Sequence, residues 1–238
     1  MKKFLLLFGS TLLLSAVGSA SIVCPTTSYD NYVGVGALQV NGNGGCTIGV
    51  KLFSNFTISS TAIGGALIVP AASINVQPVS IPEEGFIFTL PLGAGVNQSN
   101  DVALSYNAKA PVGNPFTDAT LAQTGGFTGT GNAAVKDTLC LGGFILGGCV
   151  GGTPLTLQTF QNSIGSQPIQ HVVFATPVLT VDVSKDIFVT SNGAGGLATI
   201  SVATNTLSQT GVPEPVTLLL MGSGLLALGV IGRRTRKA

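Results

Sequence analysis

The sequence predicts an all-β protein, an antiparallel β-sandwich of jelly-roll type held between two apolar end segments. Three observations carry this prediction. Apolar and polar residues alternate in short runs through the middle of the chain. Glycine- and proline-rich breaks separate those runs, with 33 Gly and 12 Pro in 238 residues. No stretch between the ends keeps a capped 3.6-residue apolar period, so little helix is expected there.

The first element is residues 1–20. Lys2 and Lys3 precede an uncharged, leucine-rich run from Phe4 to Val17, which closes on Gly18, Ser19 and Ala20. A cationic start, a short apolar middle and a small-residue exit make the pattern of a secretory signal peptide, with cleavage expected after Ala20. A lipid anchor on Cys24 is disfavoured by the bulky Val23 before it.

The body, residues 21–211, is long enough for one sizeable β domain. Val102, Leu104, Tyr106 and Ala108 alternate with Ala103, Ser105, Asn107 and Lys109. Phe86, Phe88 and Leu90 alternate with Ile87 and Thr89, and Leu179, Val181 and Val183 with Thr180, Asp182 and Ser184. Ile74 with Val76, and Ile200 with Val202, repeat the period of two, as half-buried antiparallel strands do. Breaks are expected at Asn41 to Gly45, Gly64 and Gly65, Gly93 to Gly95, Pro111 to Pro115, Gly125 to Asn132, Gly147 to Thr153 and Gly193 to Gly196. An open barrel answers to the same pattern, whereas a β-solenoid is disfavoured because no fixed repeat period is present.

Charge is scarce and segregated. Charged residues make up 8% of the chain, about a third of the usual level. Between Ser21 and Gly211 there are four lysines, Lys51, Lys109, Lys136 and Lys185, against eight acids, Asp30, Glu83, Glu84, Asp101, Asp118, Asp137, Asp182 and Asp186. A mildly acidic body without a basic stripe argues against nucleic-acid binding, which depends on phosphate neutralisation.

Four cysteines in an exported chain favour two disulfides. Of the three possible connectivities the local one is expected, Cys24 with Cys46 and Cys140 with Cys149; glycines 142, 143, 147 and 148 let the second loop fold back. The thiols lack the paired spacing and the histidines of a zinc site, so no metal or other cofactor is expected.

Chemistry in the body is sparse. His171 is the only histidine, predicted on a strand face with Val173 and away from Val172 and Phe174. No Gly-x-Ser-x-Gly elbow accompanies it, which disfavours a Ser-His-Asp hydrolase. Glu83 and Glu84, between Pro82 and Gly85, are expected in a surface turn. Asp101, Asp182 and Asp186 form the set from which a glycosidase carboxylate pair would come. Sugar clefts also present aromatic platforms; there is no Trp, and Tyr29, Tyr32 and Tyr106 are the tyrosines. Thr57, Thr61, Thr120, Thr124, Thr128 and Thr130 make no regular Thr-x-Thr array of the kind that would favour ice. A non-enzymatic role is therefore expected.

The last element is residues 212–238. Pro213, Glu214 and Pro215 precede an uncharged stretch within 216–232, followed by Arg233, Arg234, Arg236 and Lys237. The sixteen residues from Val216 to Ile231 would span roughly 24 Å as a helix, short against a hydrocarbon core of about 30 Å. The cations orient such a transmembrane helix with its basic end in the cytoplasm and the body outside. The two prolines hold the chain extended around Glu214 and stop the helix from propagating outward.

Tripeptide, apolar span and basic stop, in this order, resemble the PEP-CTERM sorting signal. The resemblance implies recognition of Pro213, Glu214 and Pro215 by an exosortase-like processing enzyme, in bacteria that make exopolysaccharide; similar tails end some proteins labelled ice-binding. The body resembles, more softly, an exported domain that carries such tails, through Cys46 to Gly49, Phe53 to Phe56, Asp101 to Tyr106 and Val183 to Ile187. That likeness implies a β-sandwich and departs around Cys140 to Gly152. Together these readings give an expected membrane-sorted envelope or extracellular-matrix protein with a structural or adhesive role. The alternative is a carbohydrate- or ice-surface-binding module.

Overall fold

Alternation along the body does build strands, and they pair into two sheets packed face to face. The computed structural model describes residues 22–36, 39–80, 83–145, 148–149 and 154–209. The larger sheet has eight strands. In spatial order they are β1 (Ile22–Val23), β3 (Cys46–Ile48), β4 (Lys51–Ile63), β7 (Gln98–Lys109), β15 (Thr180–Ser191), β9 (Gly131–Leu141), β12 (Leu155–Asn162) and β13 (Gly165–Gln167). The smaller has six: β14 (Ile169–Val178), β8 (Phe116–Thr128), β16 (Leu197–Gln209), β6 (Glu84–Ala94), β5 (Asn75–Val79) and β2 (Thr27–Ser28). A small ribbon joins β10 (Phe144–Ile145) to β11 (Gly148–Cys149).

The strands pair in a nested way. β6 pairs with β16, β7 with β15, β8 with β14 and β9 with β12, first with last, all antiparallel. Sheet orders of β6-β16-β8-β14 and β7-β15-β9-β12 follow. This is the order of a jelly roll, in which a long antiparallel ribbon rolls up until its two halves face each other. The open-barrel alternative is set aside by the two separate sheets.

The core fills the space between them. Val102, Leu104, Tyr106, Ala108, Val181 and Val183 are buried from the larger sheet, and Phe86, Phe88 and Leu90 from the smaller. Each fully buried Leu or Phe of this kind stabilises the fold by about 1.5–3 kcal/mol. At one end a single helical turn, α1 (Asp30–Val33), brings Tyr29 and Tyr32 in among Phe53, Phe56, Phe86, Phe88 and Tyr106. The ring centroids of Tyr32 and Phe56 lie 4.8 Å apart, edge to face, the favoured geometry for aromatic pairs. Burial of phenols requires partners, and Tyr29 donates to the Thr57 carbonyl at 3.0 Å and Tyr32 to that of Pro25 at 2.6 Å.

Several expectations need correcting. Leu179, read as the inward start of β15, lies between strands and is 40% exposed. Ile200 is buried but Val202 is not its inward neighbour. A bulge between them shifts the phase of β16, so that Ala203, Asn205 and Leu207 point inward instead. Glycines 93, 125 and 126 lie within β6 and β8 and end neither strand. Gly125 sits beside the β16 bulge, where a Cβ would come 2.2 Å from the Thr199 carbonyl oxygen.

Both expected disulfides form. Cys24–Cys46 closes a separation of 22 residues and fixes β1, parallel to β3, at the sheet edge; Cys140–Cys149 ties the β10–β11 ribbon to β9. Glu83 and Glu84 do not form a simple solvated turn. Glu84 pairs with the buried Lys51 at 2.7 Å and Glu83 accepts a hydrogen bond from Thr206.

The signal peptide expected at residues 1–20, the tripeptide Pro213 to Pro215, the expected span 216–232 and the basic residues 233, 234, 236 and 237 lie outside the described residues. Among the described residues no helix is long and apolar enough to cross a membrane.

Candidate functional site

Strand pairing sorts the outward residues of the larger sheet into rows running across the strands. On β4, β7, β15 and β9 one row reads Ser54, Asn107, Asp182 and Cys140. The next reads Thr57, Ser105, Ser184, Thr138 and, on β12, Thr156. Asp101, Phe188, Ala134 and Phe160 form a third, farther along. The alternation that sends Val181, Val183, Ile187 and Val189 inward is what sends these residues outward.

At one end of this face is a depression of about 270 Å³ lined by Asn55, Thr57, Ser105, Asn107 and Asp182, with Tyr106 and Val183 beneath. A bulge in β4 between Ser54 and Thr57 shapes it, and Asn55 takes a left-handed conformation there (φ 57°). Asparagine tolerates that region better than most side chains, and bulges commonly re-aim side chains at sites. Asn107 Nδ2 donates to Asp182 Oδ1, and the Thr57 and Ser105 hydroxyls lie 2.6 Å apart. Cys140, disulfide-bonded to Cys149, shares a row with Asp182 and so borders the same end.

Six residues along β15 separate Asp182 from Phe188, roughly 20 Å of strand. Phe188 and Phe160 are half-buried on the outward side, two strands apart, and Ala134 between them in the register is 1% exposed. Asp101 shares this row and hydrogen-bonds Asp186. Burial, then the hydrogen bond and charge of Asp186, push the Asp101 carboxyl up to about 6.

Of the three carboxylates expected to supply an enzymatic pair, Asp101 and Asp186 are therefore together, and Asp182 stands apart in the polar depression. His171 projects outward on β14 as predicted, with Nε2 3.3 Å from Asp118 Oδ1 on β8. Ser208 is the register partner of Asp118 on the far side. The carboxylate thus stands between serine and imidazole, not behind the imidazole as a triad requires.

A second depression, about 180 Å³, lies at the rim of the smaller sheet and is lined by Lys51, Glu83, Glu84, Asn114, Leu207 and Gln209 among others. Burial lowers the Lys51 ammonium's pKa, opposed by Glu84. Its lining is engaged internally: Lys51 donates to the Leu207 carbonyl, and Asn114 to Gln209 at 2.9 Å. Among the described residues no group of three His, Cys, Asp or Glu side chains could hold a metal ion.

The tyrosines considered as sugar platforms are all core residues, from 0 to 2% exposed. On the outer face of the larger sheet the half-buried rings are those of Phe160 and Phe188, while Phe127 of the smaller sheet is 37% exposed. Their signal was present in the sequence, as Phe160 and Phe188 on polar alternating strands, but a search restricted to Trp and Tyr passes over them.

No protein-family description matches the chain, and no curated protein matches it. Among solved structures it is similar to TmCBM61 in complex with beta-1,4-galactotriose, at 9% identity and a TM-score of 0.30, over 64% of this chain and 88% of that one. It is also similar to the enzymatically active domain of bacteriophage CBA120 tailspike protein 4, at 15% identity and a TM-score of 0.26. That match covers 64% of this chain and 19% of the tailspike chain.

Proposed function

We propose that this chain is an exported, non-enzymatic envelope or matrix protein whose sandwich holds extracellular polysaccharide on the outer face of its larger sheet. One observation carries the binding reading. A single face presents a polar depression of amide, hydroxyl and carboxylate groups and, roughly 20 Å along the same strands, two outward phenyl rings. Polar side chains there can exchange hydrogen bonds with sugar hydroxyls, and ring faces can cover their apolar C–H patches. The spacing suits a polymer segment better than a single ring, and the scarcity of charge suits a neutral or weakly acidic glycan.

Export is supported by the apolar, cation-flanked ends and by two disulfides, which persist in oxidising compartments. In this reading Pro213, Glu214 and Pro215 present the tail to an exosortase-like enzyme, and the basic residues after the apolar span keep the tail's end on the cytoplasmic side of the membrane until processing.

Affinity electrophoresis of the exported protein in gels containing the producing cell's own exopolysaccharide tests the binding. Retardation is expected, and Phe160→Ala or Phe188→Ala should each weaken it about tenfold, the equivalent of about 1.4 kcal/mol per ring. Unretarded migration of the folded parent protein would remove the reading. Retention unchanged in both variants would move the site off this face.

A further inference from the structure

The sandwich buries a charge-bearing cluster that neither the outer face nor the end segments use. Lys185 on β15 and Asp137 on β9 are direct register partners and both point into the core. Lys185 Nζ lies 2.6 Å from Asp137 Oδ1, and both side chains are wholly inaccessible. From the facing sheet, Asn205 Nδ2 donates to Asp137 Oδ2 at 2.7 Å. Tyr106 completes the group by donating its hydroxyl to Asn205 Oδ1. One carboxyl thus touches both an amine nitrogen and an amide nitrogen, while the amide's carbonyl oxygen has its own donor.

An ion pair in such a place is expensive. Removing two charges from water costs several kcal/mol each, and their attraction often fails to offset it. Burial lowers the Lys185 ammonium's pKa and raises that of the Asp137 carboxyl, so desolvation favours the neutral amine beside the neutral acid. A neutral amine carries the lone pair that a nucleophile needs.

We propose that Lys185 and Asn205 become joined by an intramolecular isopeptide bond, with Asp137 carrying the proton and Tyr106 holding the carbonyl oxygen. Lys185 Nζ attacks Asn205 Cγ, and the developing oxyanion is held by the Tyr106 hydroxyl. Asp137 gives its proton to Nδ2 and recovers one from Nζ. The Cγ–Nδ2 bond breaks, ammonia leaves, and an Nζ–Cγ amide remains. No oxidant, reductant or cofactor enters the balance. Asp137 is the shuttle and not the acyl partner, because it alone contacts both nitrogens and because the Tyr106 donor is aimed at Asn205. The product links β15 to β16 across the two sheets and replaces a costly buried ion pair with a neutral amide. This inference stands independently of polysaccharide binding.

Full-length protein, exported to an oxidising compartment, folded by circular dichroism and then reduced and digested, provides the test by peptide mass spectrometry. The expected product is a branched peptide joining the segments of Lys185 and Asn205, lighter than their sum by one ammonia. Lys185→Arg and Asn205→Ala should each abolish it. Asp137→Asn should leave both partners unlinked; should that variant not fold, Tyr106→Phe should slow the linkage about a hundredfold during refolding. Linear peptides of unaltered mass from the folded parent protein would overturn the proposal. So would a branched peptide lighter by one water that joins Lys185 to Asp137.

Discussion

At the scale of single residues, Asp101 is the side chain with a pH signature of its own. Its pKa is raised from 3.8 to about 6, by burial and then by Asp186, so between those values the folded protein holds a proton that the unfolded chain releases. Stability contributed by this group is fully present below the unfolded pKa and is lost as pH rises through the folded one. The carboxyl is partly solvated, which reduces the size of the effect. Urea midpoints measured from pH 4 to pH 7 should fall with rising pH in the parent protein, and Asp101→Asn should flatten that fall. An unchanged slope would mean that burial and the neighbouring Asp186 do not raise the Asp101 pKa in the folded protein. The sequence identified these acids as candidates but could not pair them. Asp101 and Asp186 are 85 positions apart and meet only diagonally across β7 and β15, a relation set by register and not by spacing.

At the scale of elements, period-two alternation was enough to find the inward faces of β6, β7 and most of β15, because each has one dry and one wet side throughout. It misplaced the interior of β16, where one extra residue reverses the phase. Glycine was the ambiguous signal, since it marks both a turn and a place where two backbones crowd. Gly125 is the second kind, and Gly125→Ala should drive a methyl group against the Thr199 carbonyl. A loss of about 1–3 kcal/mol is expected from the denaturant midpoint, as for other over-packed sites. The edge strands make a separate case. Cys24–Cys46 closes a loop of 22 residues, which in the chain-entropy account is worth about 3 kcal/mol. Replacing both cysteines by serine should lower the thermal midpoint accordingly, and a loss near zero would show that β1 contributes little once β3 and β4 are paired.

At the scale of the whole molecule, the sandwich was legible from composition and alternation, while its nested pairing was not. β6 and β16 are joined across more than a hundred intervening residues by a choice among many similar strands, and that choice rests on how both sheets close over one core. The end segments pose the opposite case, being plain in the sequence and lying outside the described residues. The last described strand stops at Gln209, four residues before Pro213, so truncation before Pro213 leaves every described strand intact. If the tail anchors the protein, the truncated chain should be exported, form both disulfides and appear in the culture medium, while the full chain sediments with membranes or stays with the envelope. Glu214→Ala separates anchoring from processing: the apolar span and its basic stop are kept, so the protein should still reach the membrane but accumulate with its tail uncleaved. Fractionation and C-terminal peptide mapping read both outcomes. Membrane retention of the truncated chain would place the anchor in the sandwich itself, and normal processing of the Glu214 variant would deny the tripeptide its recognition role.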